Sequence, residues 1–323
     1  MESKLRVKLP PKKALNHTLT FLYRVFRLVL LVGISYYVLF PILSMAIKAI
    51  TLPDDMYAES HVWVPDNPTL TNFSYVLKFF KYKEHMWITL QIAIISTLLQ
   101  LVSCSLAGYG LARHNFKGNG LVFLLVVFTI VMPLEAIMLP MNLEYRNFDF
   151  FGIGSLIGLF TGKPLTVNLL QTKWVYYIPA GFGVGLNSGL YIFIFRQFFK
   201  GLPGSLEDAA RVDGCNSFQI FLRVMIPNTM PVFVTVALLS VVAYWNDTVI
   251  AGLLYNLSDR APLMLYLRYS INYDTALAMQ MNGVEYFSTY YTALLMIVAP
   301  MMIFYIVLQK FFTQCMDRSG IKG

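Results

Sequence analysis

The stretch WITLQIAIISTLLQLVSCSLAGYGLA, Trp87–Ala112, contains no charged residue. A helix rises about 1.5 Å per residue and a hydrocarbon core is about 30 Å thick, so a run of this length crosses with residues to spare. Its apolar residues follow one another without strict alternation, which favours a helix over a barrel strand. A helix also satisfies its backbone polar groups internally, as lipid demands. Outward from this run, five others read the same way. They are Leu28–Ile47, Gly120–Asn142 (broken only by Glu135), Val175–Phe195, Met230–Tyr255 (with one acid, Asp247) and Ser288–Gln309. The sequence therefore predicts an all-α, polytopic membrane protein with six transmembrane helices.

Composition agrees with that class. Hydrophobic residues make up 57% of the 323 and charged residues only 13%, with a mean hydropathy of +0.60. A soluble domain carries about 25% charged residues, so an ordinary soluble enzyme is excluded, as is a disordered chain. The net charge of +8 does not point to nucleic acid, because the basic residues flank apolar runs and form no separate domain. They read instead as topology signals. One side holds 16 of the 25 Lys and Arg: the tail up to Arg27, the loops after the second and fourth runs, and the C-terminal tail. The same side holds 5 of the 17 acids. By the positive-inside rule that side is cytoplasmic, with both termini inside. Residues 1–27 then form a cytoplasmic tail and 28–323 the transmembrane domain. The first run is too long for a signal peptide and lacks a small-residue cleavage site, so it reads as a retained helix.

Catalytic chemistry is not evident. Cys104, Cys215 and Cys315 show no metal or disulfide spacing, and His17, His61, His85 and His114 are scattered, so the chain reads as a non-enzyme with no catalytic or metal site. GLFTGK, Gly158–Lys163, looks like a phosphate loop but is one residue short, and Pro164 stands where Ser or Thr would bind Mg²⁺. It belongs to a long outer loop, 143–174, whose FFGIGSLIGLF is apolar but too short to span. That stretch reads as interfacial or re-entrant.

The loop after the fourth run, GLPGSLEDAARVDGCNSFQIFLRVMIPNTMP (Gly201–Pro231), has internal order. Ser205 and Asp208 have capping-box spacing. Glu207 and Asp208 suit a helix start, and Leu206, Ala209 and Ala210 form a small apolar face. Gly214 can stop the helix, and Asn216 or Ser217 can cap a second one. Phe218, Phe221, Leu222 and Met225 then recur at helical spacing, and Pro227 ends that helix. The expectation is two short helices with a tight elbow.

This loop resembles the EAA loop of permease subunits in bacterial ABC importers. That pattern is EAA, three residues, Gly, nine residues, then I-x-L-P. It falls here on Asp208, Ala209, Ala210, Gly214, Val224, Ile226 and Pro227, with Asp for Glu, Val for Ile and Ile for Leu. AGYGLARHNFKG (Ala107–Gly118), LYIFIFRQFFKGLPGSLEDAA, AYWNDTVIAGLLY and the terminal SGIKG are similar to segments of the maltose-type carbohydrate permeases. The resemblance covers roughly Asn72 to Gly323, and the 143–174 loop is longer than the family's usual connection.

The resemblance implies a type I ABC importer permease fold in the bacterial cytoplasmic membrane. It implies a homologous second permease, two ABC ATPase subunits and an extracytoplasmic solute-binding protein as partners, with sugar as cargo. The chain itself would hold no cofactor, since ATP and Mg²⁺ bind the ATPase subunits. Glu207, Asp208, Ala209, Ala210, Gly214 and Pro227 would form the ATPase-coupling element. Intramembrane polar groups are costly and thus functional candidates, so Glu135, Tyr244, Trp245, Asn246 and Asp247 are candidates for the substrate path. Helix packing explains them as well. Two rival functions are an ABC permease for a non-sugar solute and a self-contained secondary transporter, which would leave the loop's spacing unexplained.

Overall fold

Two of the six apolar runs are interrupted at proline or glycine. In the computed structural model, residues 12–55, 64–65, 67–133, 135–255, 260–271 and 281–319 are described, apart from the side chains of 12–18, 79, 135, 308 and 310–319. The framework divides into two units, one up to Ser74 with Asn282–Leu295, the other Tyr75–Met281 with Met296 onward.

In the first unit, α1 (Lys12–Ile50) runs unbroken through Pro41. Every side chain from Leu19 to Pro41 is exposed, and nearly all are apolar, as suits a helix surrounded by lipid or another subunit. Its end is tied down by Asn72, whose amide donates to the carbonyls of Ala49 (3.0 Å) and Thr51 (2.9 Å). Lys48 lies over the Tyr291 ring, 4.3 Å from its centroid.

The second unit is organised around α3 (Tyr82–Arg113), the helix of the Trp87–Ala112 run. The remaining elements are α2 (Thr71–Phe79), α4 (Asn119–Val131), α5 (Glu135–Arg146), α6 (Ile153–Thr161), α7 (Trp174–Gly181), α8 (Ser188–Gly201), α9 (Ser205–Val212) and α10 (Ser217–Ile220). A π-helical turn, Phe221–Met225, leads into α11 (Ile226–Asn228), followed by α12 (Met230–Asn246), α13 (Val249–Tyr255), α14 (Leu263–Ser270) and α15 (Gly283–Ser319). Helices α7, α8, α12 and α14 all pack on α3. Among the described residues there is no strand, only the isolated bridges Thr51–Pro68 and Phe148–Val167.

Two apolar cores result. One joins Ile92, Tyr145, Phe148, Val175, Tyr176, Tyr244, Leu254, Tyr255 and Leu265. The other joins Cys104, Tyr109, Phe195, Phe199, Ala210, Ile220, Phe221 and Met225 beneath the 201–231 loop. Between them α3 carries small and polar buried residues. Gly108 brings α3 so close to α8 that a Cβ there would lie 2.6 Å from Phe195 Cβ. Small residues are what allow such approach between membrane helices.

Three expected spans are interrupted. Three described helices are long and apolar enough to cross alone, and two bent pairs raise the number to five. The third run bends by 102° where Pro133 interrupts it, between α4 and α5. The fifth run, Met230–Tyr255, breaks at Asp247 and Thr248. The fourth run, Val175–Phe195, is two helices, α7 and α8, because PAGFGVGLN cannot hold one. Gly183 (φ +71) and Asn187 (φ +57) are both left-handed there. The freed backbone is satisfied from α3. Ser103 donates to Ala180 O (2.6 Å), and Gln100 donates to Leu186 O (2.6 Å) and to Ser188 Oγ (2.7 Å). Ser240 donates to Gln100 Oε1 (2.8 Å) and accepts from Thr97 (2.9 Å). Broken membrane helices need such re-satisfaction of their backbone.

Candidate functional site

The 201–231 loop forms two short helices with an elbow, as its pattern predicts, but its start differs. Gly204 already has helical dihedrals (φ −62, ψ −28), and no side chain caps α9. Ser205 is thus inside the first turn, and the expected Ser205–Asp208 capping box does not form. The elbow is Gly214, at φ +82, where a side chain would be strained. Beyond it Asn216 and Gln219 form a full capping box, each side chain bonding the other's backbone N–H at 2.9 Å. The second helix ends at Asn228, one residue past Pro227, and the chain then bends by 81° into α12.

Glu207 is buried at 6% exposure. Its carboxylate pairs with Arg113 Nε at 3.1 Å and with Arg211 at 3.6 Å. Arg113 also donates to Leu202 O (2.5 Å). The end of α3 is thereby fastened to the α8–α9 junction. Ala210 is buried at 6% against the core that holds Tyr109, Phe199 and Phe221. The two alanines therefore do different work: Ala210 seats α9 on its own subunit, while Ala209 faces outward. Asp208 is exposed and 3.6 Å from Arg211. Phe221 and Met225 are core, whereas Phe218 (61% exposed) and Leu222 stand outside, with Val212 (88% exposed) on α9. The outer surface of the loop thus carries Ala209, Val212, Phe218 and Leu222, with the Asp208–Arg211 pair at its edge.

Sequence reading missed Arg113, although AGYGLARHNFKG contains it. A basic residue closing a helix is unremarkable until its partner, 94 positions later, is known. Val212 was also missed.

The intramembrane candidates separate. Trp245 (4% exposed) and the exposed Asn246 border a cavity of about 410 Å³ between α12, α14 and α15, otherwise lined by apolar residues such as Leu238, Met264, Met301 and Tyr305. Tyr244 turns into the core, its ring edge-on to Tyr176 at 5.9 Å. Asp247 is a cap: it accepts from Val249, Ile250 and Ala251 N–H, each at 3.1 Å, and from the Tyr176 hydroxyl at 2.5 Å. Consecutive helical residues are about 100° apart, so these four cannot share one face. The Glu135 side chain lies outside the described residues.

Comparison with known proteins places this geometry. Residues 104–318 match the family described as binding-protein-dependent transport system inner membrane component, a span that holds both the loop and the fifth run. The chain is similar to the arabinooligosaccharides transport system permease protein AraQ of Halalkalibacterium halodurans, at 27% identity over 90% of this chain and 93% of that protein. It is also similar to AraQ of Bacillus subtilis, at 26% over 96% and 100%. The probable starch degradation products transport system permease protein AmyC of Thermoanaerobacterium thermosulfurigenes is 24% identical over 76% and 78%. Among solved structures, a chain of a bacterial ABC transporter involved in the import of the acidic polysaccharide alginate superposes with a TM-score of 0.73. It is 23% identical and covers 90% of this chain and 96% of that one, which shows the type I permease fold. With a broken-helix bundle built around α3 and a two-helix loop fastened to its end, the chain belongs to the binding-protein-dependent transport system inner membrane components.

Proposed function

We propose that this chain is one permease subunit of an ATP-driven sugar importer, working by alternating access. The observation that carries the reading is the loop itself, a short rigid helix fastened to α3 through Glu207 and Arg113 with Ala209, Val212 and Phe218 turned outward. A rigid helix transmits a rigid-body motion, whereas a flexible loop absorbs it. In this reading α9 docks on an ABC ATPase subunit, which binds ATP and Mg²⁺, and the chain catalyses nothing. A homologous second permease completes the pore, and an extracytoplasmic binding protein delivers the solute. The loop side and both termini are cytoplasmic, as the Lys and Arg distribution supports. Sugar is favoured by the names of the relatives, which transport arabinooligosaccharides and starch degradation products. The test is ATPase stimulation of the reconstituted complex by its binding protein loaded with mono- or oligosaccharides, amino acids, peptides or polyamines. Stimulation by a sugar supports the reading, and stimulation by a non-sugar alone removes the sugar assignment.

Two substitutions divide the loop's roles. Ala209→Arg is expected to block docking, so that ATPase subunits no longer co-purify while the permease keeps its thermal midpoint. Ala210→Arg forces a charge into the core and is expected to lower that midpoint as well. Equal effects of the two would contradict the division.

On the solute path, Asn246 with Trp245 is the proposed contact, and Asp247 is structural. Asn246→Ala is expected to weaken sugar-stimulated ATP hydrolysis several-fold, about 1 kcal/mol for one lost hydrogen bond. Unchanged affinity and rate would remove Asn246 from the path.

A further inference from the structure

The segment between α5 and α7 folds back on itself. Phe148 and Val167 exchange both backbone hydrogen bonds (3.0 and 2.9 Å), and Leu165 N–H donates to Gly154 O (3.1 Å). Two glycines press α6 onto the returning chain. A Cβ on Gly154 would fall 2.0 Å from Leu165 O, and one on Gly158 would fall 2.8 Å from Pro164 Cα. The polar groups turn inward as well. Asp149 accepts from Gly152 N–H (2.9 Å) and the Ser155 hydroxyl (2.8 Å), and Thr161 donates to the carbonyls of Ile157 and Lys163.

The opposite face is apolar and uncovered. Ile153, Leu156, Ile157 and Phe160 form a stripe at helical spacing, with Phe160 at 91% exposure and Leu159 at 79%. No charged residue occurs from Phe150 through Gly162. The Phe151 ring meets Phe182 at 4.9 Å, the first residue of the break in the fourth run.

We propose that the 148–167 hairpin is seated in the bilayer, with its Ile153–Leu156–Ile157–Phe160 stripe against lipid acyl chains. Three observations favour lipid over a protein partner. The stripe presents no hydrogen-bonding group, whereas a protein interface carries about one hydrogen bond per 100–200 Å². Asp149, Ser155 and Thr161 hydrogen-bond within the hairpin, as polar groups must where water is absent. Phe182 is separated from the start of α7 by its eight residues, about 12 Å of helix rise, so the Phe151 contact draws the hairpin's base to membrane depth. Lys163, past the end of α6, can carry its ammonium to the headgroups. The hairpin then holds the outer half of the broken fourth span from the lipid side.

The test uses the whole transporter in lipid nanodiscs, with nitroxides placed by Phe160→Cys, Leu156→Cys and Lys163→Cys. The native-cysteine signal is recorded on the unsubstituted protein. Oxygen is expected to relax the labels at 160 and 156 more than a water-soluble nickel chelate does, with the order reversed at 163. Greater access of the nickel chelate at 160 and 156 would place the stripe in water or against a soluble partner, and overturn the proposal. Exclusion of both reagents would place it against protein, such as the second permease, and overturn it equally. The readout is location and not transport, so it stands or falls apart from the importer reading. Two stripe positions guard against one variant failing to fold.

Discussion

Arg113→Ala abolishes solute-stimulated ATP hydrolysis while the chain still inserts in the membrane: that is the expected result. The Glu207 side chain is only 8% exposed and that of Arg113 15%, so the pair is largely out of water. Removing one partner of a buried pair costs about 3–5 kcal/mol, because the other charge is left uncompensated. Arg211 is a poor substitute, at 3.6 Å and 60% exposed. Arg113 also supplies the donor for Leu202 O, so its loss frees the α8–α9 junction twice over. Since this pair and Ala210 seat α9 on the rest of its subunit, losing the pair is expected to loosen it. Glu207→Ala is expected to match Arg113→Ala. Arg211→Ala is a surface change, worth within about 0.5 kcal/mol, and is expected to leave coupling nearly intact. The measurements are basal and stimulated ATPase rates of the reconstituted complex, with amide exchange across 205–212. Normal coupling in Arg113→Ala would refute the clamp.

Gly108→Leu is expected to prevent stable folding altogether. The groups that a Cβ would meet are Phe195 Cβ at 2.6 Å, Arg196 N at 3.0 Å and Ile192 O at 3.2 Å. Two of these are backbone and the third is fixed to it, so no rotamer change relieves the clash. The helices α3 and α8 must separate. Overpacking a tight core costs about 1–3 kcal/mol, occasionally more, and here α8 has no slack on its other side. A Cβ at Gly189 of α8 would lie 2.3 Å from Thr129 Oγ1 and 3.0 Å from Val126 O of α4. Thermal unfolding in detergent, followed by loss of the monodisperse species, reads the effect. Gly108→Ala is expected to fall between wild type and Leu. A Leu variant that melts like wild type would mean that the helices do not approach as closely as described.

Much of the architecture was legible beforehand, for local reasons. The uncharged run that becomes α3 announces itself by length alone. The elbow at Gly214 and the second helix begun at Asn216 follow from residues within one turn of each other. The two-helix form of the 201–231 loop was readable for that reason. The fourth run misled because Val175–Phe195 is as apolar as its neighbours. Its glycines and proline break the helix, and Gln100 and Ser103, some 80 positions earlier, donate to the freed carbonyls. The Ser205–Asp208 spacing misled because a capping box needs a non-helical residue at its start, and the chain enters α9 already helical at Gly204.

The candidate site divides along the same line. Hydrophobic run length, charge asymmetry and the spacing around Asp208–Ala210 and Gly214 are properties of nearby residues, and they sufficed for a membrane bundle with a structured, permease-like loop. Which alanine faces its own subunit, whether Asp247 meets solute or caps a helix, and why Glu207 is buried depend on Arg113, Tyr176 and Phe199. Those partners lie far away in the chain. Burial and pairing belong to the packed surface and not to the residue, and only the assembled bundle decides them.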